Sequence, residues 1–189
     1  MSNASHQASG DDAATSDRLP AELAGLEVVG LNLAPGRFID ALGEEPTLLV
    51  FLRQLGCIFC HETVTDLRRL SEKESRLPKV LFLHPATQEQ GAEFFAEHWP
   101  EARVIADPQH RFYHAFGLDK TRFWQRYGPL VVAGAARAFL RGSRQGKAIG
   151  HENTQPGVAL MRGERVLHVW KGQRVSDRPK FDAMAGPSS

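Results

Sequence analysis

The amino-acid sequence predicts an α/β protein with a central mixed sheet and helices on both faces. Two features of the chain carry that expectation. Between residues 47 and 118, three strand-like runs succeed one another, each followed by a helix-like segment, an order that builds parallel strands through right-handed crossovers. Further on, GVALM and RVLHVW flank the tight Arg162-Gly163-Glu164 segment and predict an antiparallel hairpin that extends the same sheet.

The elements follow in order. Residues 1–19 are expected to form a disordered tail, because MSNASHQASGDDAATSDR offers no Val, Ile, Leu or aromatic side chain for a core. Short strands are expected around Leu26–Val29 and Phe38–Ile39, between Gly and Pro punctuation. The run TLLVFL at 47–52 has the length and continuous apolar character of a strand covered on both faces. From Ile58, apolar residues at Val64, Leu67 and Leu70 with charged residues between them predict an amphipathic helix ending before Pro78. KVLFL at 79–83 is a second strand, and TQEQGAEFFAEHW at 87–99 a helix stopped by Pro100. ARVIA at 102–106 is a third strand, ended by Asp107-Pro108, and HRFYHAFGL at 110–118 a short helix closed by Gly117.

Residues 120–155 depart from this pattern. They hold an Ala-rich helix candidate near 130–141, with Arg137, Arg141 and Arg144 at helical spacing. That stripe is expected as a solvated face, with an anion or acidic partner as the alternative. The last residues, SDRPKFDAMAGPSS, suit only a short helix and a frayed end. The organisation is thus a tail at 1–19, one domain at 20–176 and a short C-terminal segment at 177–189.

A chain of 189 residues with 42% hydrophobic and 24% charged residues has the composition of one ordinary globular domain. Its 23 basic and 22 acidic residues leave a formal charge of +1, which provides no overall attraction to nucleic acid or an anionic membrane. Neither is expected as a partner. The chain lacks the basic start and apolar run of a secretory signal, and no stretch approaches the ~18 apolar residues of a membrane span. A cytoplasmic location is therefore expected. In that reducing setting two thiols close together are more often catalytic, redox-sensing or metal-binding than a permanent staple.

Both cysteines lie in FLRQLGCIFC at 51–60, where the first predicted strand meets its helix. Residues three apart on a helical turn lie about 5 Å apart at Cα, within reach of a disulfide. The N-terminus of a helix also stabilises a thiolate, the attacking form of cysteine. Arg53 and His61, on either side of the pair, offer positive charge, and Glu62 is either a proton shuttle or a first-turn acid favoured by the helix dipole. The pair is also half of a zinc site, for which only His110 and His114, four residues apart, offer a second half. Two inert buried thiols are the remaining alternative. A redox centre is the leading expectation, with no metal or other cofactor. Trp124, Trp170 and Phe59 are candidates for an apolar pocket, though large aromatics more often build the core.

The order of strand, C-x-x-C, helix and the units after it is similar to the thioredoxin arrangement. FLRQLGCIFC together with ADPQHRFYHAFGL resembles the peroxiredoxin-like 2 group of the alkyl hydroperoxide reductase and thiol-specific antioxidant superfamily, over roughly residues 25 to 175. The resemblance implies a thioredoxin-like fold and a thiol-dependent oxidoreductase. Its substrate would be a peroxide or a disulfide, and a thioredoxin- or glutathione-type thiol would restore it. A redox-sensing or binding module without turnover is the alternative.

The resemblance has departures. Peroxiredoxins carry Pro-x-x-x-Thr-x-x-Cys. If Cys60 takes the peroxidatic place, Arg53 stands where the Pro would be and Cys57 where the Thr would be. No Arg precedes the hairpin strand in HENTQPGV, but Pro156 there resembles the cis-proline that faces the cysteine pair in thioredoxin-like folds. Two orders of attack follow. Cys57 attacks first in thioredoxin-like exchange, and Cys60 in a peroxidase. Both end in a Cys57–Cys60 disulfide.

Overall fold

A computed structural model describes residues 17–74, 77–118 and 154–172, together with Asp177, Pro179 and Phe181. The Ala-rich helix candidate, Arg137, Arg141, Arg144 and Trp124 lie outside the described residues.

Among the described residues, six strands form the main sheet. β2 (Gly30–Leu31), β6 (Arg103–Ala106), β5 (Lys79–His84), β4 (Thr47–Phe51), β7 (Gly157–Arg162) and β8 (Arg165–Lys171) lie side by side in that order. β4, β5 and β6 run parallel, in a register that sets Leu49 beside Leu81 and Leu83 beside Ile105. β7 is antiparallel to β4, β8 to β7, and β2 to β6, so the sheet is mixed. A separate small ribbon pairs β1 (Glu27–Val28) with β3 (Gly36–Arg37). The β7–β8 hairpin turns through Gly163 and Glu164, and Gly163 takes the positive φ, 54°, that a two-residue hairpin turn demands.

The continuous apolar run in β4 follows from cover on both sides of the sheet. Leu48 and Val50 join a core with Val64 and Leu67 of α3 (Ile58–Lys73) and Phe95 of α4 (Gln88–His98). Leu49 and Phe51 join a second core on the opposite face. That core holds Leu23 of α1 (Ala21–Ala24), Phe38 and Leu42 of α2 (Phe38–Leu42), and Phe112 and Tyr113 of α5 (Arg111–Ala115). The alternation is the period-2 pattern of a strand, with apolar partners for both sets of side chains. Helix α5 ends as expected at Gly117. Its φ of 64° and the bonds Leu118 N–H to Tyr113 O and Gly117 N–H to His114 O close the last turn.

Two expectations are corrected. Phe38–Ile39 is the start of α2 rather than a strand; the helical turn puts both Phe38 and Leu42, four residues apart, into the core, where Phe38 packs 4.4 Å from Phe112. Residues 17–19, expected in the tail, are also part of the fold. Leu19 N–H bonds Glu164 O, Val166 N–H bonds Asp17 O, and Leu19 is buried, so residues 17–19 are held along the β7–β8 hairpin. Phe181, near the chain's end, is helical and buried in the core beneath α3. Among the described residues no helix is long and apolar enough to cross a membrane.

Candidate redox site

Three strand-to-helix junctions lie at the same edge of the sheet, because β4, β5 and β6 are parallel. The cysteines occupy the first. Cys57 is the N-cap of α3 in extended conformation, and Cys60 is the third residue of the helix. Both sulfurs are unbonded to one another and buried, at 2% and 4% exposure. All ten residues from Phe51 to Cys60 are buried, Arg53 included.

The two sulfurs are electrically unequal. The Cys57 pKa falls to about 6, chiefly because the Cys60 thiol donates a hydrogen bond to it; burial opposes this, and the Arg53 cation adds to it. Cys60 moves the other way, well above the usual thiol value, through the same hydrogen bond and burial. The shared hydrogen bond thus favours a negative charge on Cys57 over one on Cys60. A cavity of about 20 Å³ touches Cys60 and not Cys57, bordered by Arg53, Phe59, Thr63, Pro156 and Trp170. That is room for about one water-sized molecule. Access and ionisation thus point to different sulfurs.

The loop between β4 and Cys57 is held at four successive carbonyls. Tyr113 Oη donates to Leu52 O at 2.5 Å and lies 2.9 Å from Leu83 O, bracing two strands at once. Thr154 Oγ1 donates to Arg53 O at 2.6 Å. Cys57 N–H reaches Gln54 O at 3.3 Å, and His61 Nε2 lies 3.0 Å from Leu55 O. A site so tethered is pre-organised by its supports. Neither Tyr113 nor Thr154 was among the residues singled out from the sequence, and no local signal marks either.

The remaining candidates fall out as follows. His61 points its ring at the Leu55 carbonyl, and burial lowers its pKa, so it does not supply the positive charge expected of it. Glu62 lies beyond the first turn of α3, which begins at Ile58 and contains no acid, and it is buried; the first-turn reading is therefore withdrawn. Pro156 borders the Cys60 cavity as its position suggested, but no peptide bond among the described residues is cis. His110 and His114 sit at the two ends of α5. They are not brought to the cysteines, and among the described residues no three His, Cys, Asp or Glu side chains gather as metal ligands. Trp170 and Phe59 both line the cavity, while Asp177 and Pro179, from the C-terminal segment, border it unforeseen.

No family model matches the chain, and no curated protein does. Solved structures do. Peroxiredoxin Q of Xanthomonas campestris is 16% identical with a TM-score of 0.59, over 90% of this chain and 94% of that one. Peroxidoxin BcpB of Mycobacterium tuberculosis is 14% identical with a TM-score of 0.58, over 85% and 88%. A thiol peroxidase of Chromobacterium violaceum is 18% identical with a TM-score of 0.58, over 93% and 86%. The chain has the thioredoxin-like peroxiredoxin fold. Arg53 and Cys57, the two departures from the Pro-x-x-x-Thr-x-x-Cys pattern, both act electrically on Cys60.

Proposed function

We propose that the protein is a thiol-dependent peroxidase of the peroxiredoxin kind, an oxidoreductase that cycles Cys57 and Cys60 between dithiol and disulfide. The observation that carries this reading is the pair of free, buried cysteines at the start of α3, where a hydrogen bond from Cys60 favours the thiolate form of Cys57. The fold supports a peroxide as substrate, as does the alkyl peroxide reduction named for the Xanthomonas campestris bacterioferritin comigratory protein of similar fold.

In the proposed cycle the Cys57 thiolate attacks one oxygen of the peroxide, the O–O bond breaks, and the leaving oxygen takes up a proton to depart as water or an alcohol. Cys57 is then a sulfenic acid. The Cys60 sulfur attacks it, loses its proton and expels water, leaving the Cys57–Cys60 disulfide. Each peroxide thus takes two electrons from the pair. A thioredoxin- or glutathione-type thiol, as the cytoplasm supplies, returns them. Arg53 holds a positive charge beside both sulfurs throughout.

A second order of attack is favoured by the cavity, which opens on Cys60. Peroxide consumption by the reduced protein and by Cys57→Ser and Cys60→Ser, with intact mass, separates the two. We expect Cys60→Ser to react once and gain one oxygen at Cys57, and Cys57→Ser to be inert. Oxygen on Cys60 in Cys57→Ser would reverse the order. No consumption by any of the three would leave disulfide exchange or a switch without turnover. The wild-type rate should climb about tenfold per pH unit below pH 6 and level off above it, as the thiolate of Cys57 fills.

A further inference from the structure

We propose that His61 is a positioning residue for Cys57 and that His98, on the neighbouring helix, fixes the tautomer in which it works. The inference rests on the reading of Cys57 as the attacking thiolate. His61 Nε2 lies 3.0 Å from the Leu55 carbonyl, and His98 Nε2 lies 2.7 Å from His61 Nδ1. A carbonyl only accepts, so the proton of a neutral His61 is on Nε2. Its Nδ1 is then an acceptor, and His98 Nε2 must donate to it. Burial and the nearby His98 both favour the neutral ring.

The relay is braced. Phe94 stands edge-on to both imidazoles, 4.9 Å from His61 and 4.4 Å from His98, and is one helical turn from His98 on α4. Arg68 of α3 donates to the His98 carbonyl at 2.9 Å, tying the end of α4 to the same helix that carries His61. The tethered carbonyl belongs to Leu55, which is 1% exposed and two residues before Cys57. Removal of the imidazole leaves that buried acceptor without this bond, and the loop must move to satisfy it. Such a movement shifts the Cys57 sulfur from the Cys60 thiol and from Arg53, the two groups that hold it as an anion.

The test reads Cys57 directly, through the pH dependence of its alkylation by iodoacetamide in the reduced protein, with the site mapped by mass. It needs no peroxidase activity. If wild-type Cys57 titrates near an ordinary thiol, the thiolate reading itself has failed. Given a low wild-type value, we expect His61→Leu to raise it by about one pH unit, a tenfold loss of thiolate below that range. His61→Gln, which keeps an N–H at similar reach, should restore it, and His98→Leu should give a smaller rise. In the wild type, long-range proton–nitrogen spectra should show His61 protonated on Nε2. A folded His61→Leu with an unchanged profile, or a proton on Nδ1 of wild-type His61, overturns the proposal. Should His61→Leu fail to fold, an unchanged profile in His98→Leu does the same.

Discussion

Helices α3 and α5 both begin at the end of a parallel strand on one edge of the sheet, but a carboxylate satisfies the start of α5, whereas α3 starts at a sulfur that makes no cap bond. The buried Asp107 accepts from the backbone N–H groups of Arg111, Phe112 and Tyr113 at 3.0, 2.9 and 3.4 Å, satisfying amides that a helix start leaves over. At α3 no side chain caps the helix through a hydrogen bond, and the first turn holds no acid. Between them, α4 has a reciprocal box. Thr87 accepts from Gln90 N–H, and the Gln90 side chain accepts from Thr87 N–H. Three junctions of the same topology thus carry three chemistries. Only the first has a thiol at the helix end, the group to which the proposed chemistry assigns the reactive charge.

The largest effect follows from turning the α3 start into an ordinary cap. Cys57→Ser places a favoured N-cap hydroxyl at the head of the helix and removes the proposed nucleophile. Peroxide turnover should fall at least about a thousandfold, while the melting temperature holds or rises, with a gain of about 1 kcal/mol. Activity and stability would then part at a single residue, as expected where a site is kept reactive rather than well capped. A clear loss of stability in Cys57→Ser would show instead that the thiolate itself holds the junction together.

A smaller effect tests the α4 junction. His84, at the end of β5, is 1% exposed, accepts from Ala86 N–H at Nδ1, and has its pKa lowered by burial from 6.5 to about 4. The unfolded chain takes up this proton as pH falls through 6.5, and the folded protein does so only near 4. Stability from this group is therefore whole above pH 6.5 and lost progressively between 6.5 and 4, by about 3 kcal/mol in all. Urea unfolding across that range should show the loss, and His84→Asn, which keeps an acceptor but does not titrate, should flatten it. An equal slope in both proteins would place the acid sensitivity elsewhere.

Much of this arrangement was legible in the sequence, for a physical reason. TLLVFL, KVLFL and ARVIA are apolar on both faces because both faces are covered, and short periodic runs of that kind announce themselves. The helix after Cys57 and the one opened by Thr87 are set by local spacing and capping. Phe38–Ile39 went astray because two core residues four apart can be reached by a helical turn as well as by a strand. The cysteine pair was visible as a pair, but the electrical inequality of its sulfurs was not, since it depends on how the Cys60 thiol and Arg53 lie around Cys57. The supports were hidden by distance along the chain. Tyr113 is 61 residues from Leu52, Thr154 is 101 from Arg53, and His98 is 37 from His61; only the folded chain brings each to its partner.

The smallest expected effect is the control for the whole comparison. Thr87→Ala removes one side of the box at the α4 start and should cost about 1 kcal/mol in urea unfolding. Its cap bonds are local, made within residues 87–90, whereas α4 meets the redox site at its other end, through Phe94 and His98. A helix that keeps its packing after a fraying of its first turn transmits little of that change to its last. The alkylation profile of Cys57 should therefore match the wild type in the folded variant. A shift in that profile would mean that the α4 start, like that of α3, is part of the site, and that the division between structural and reactive helix ends does not hold.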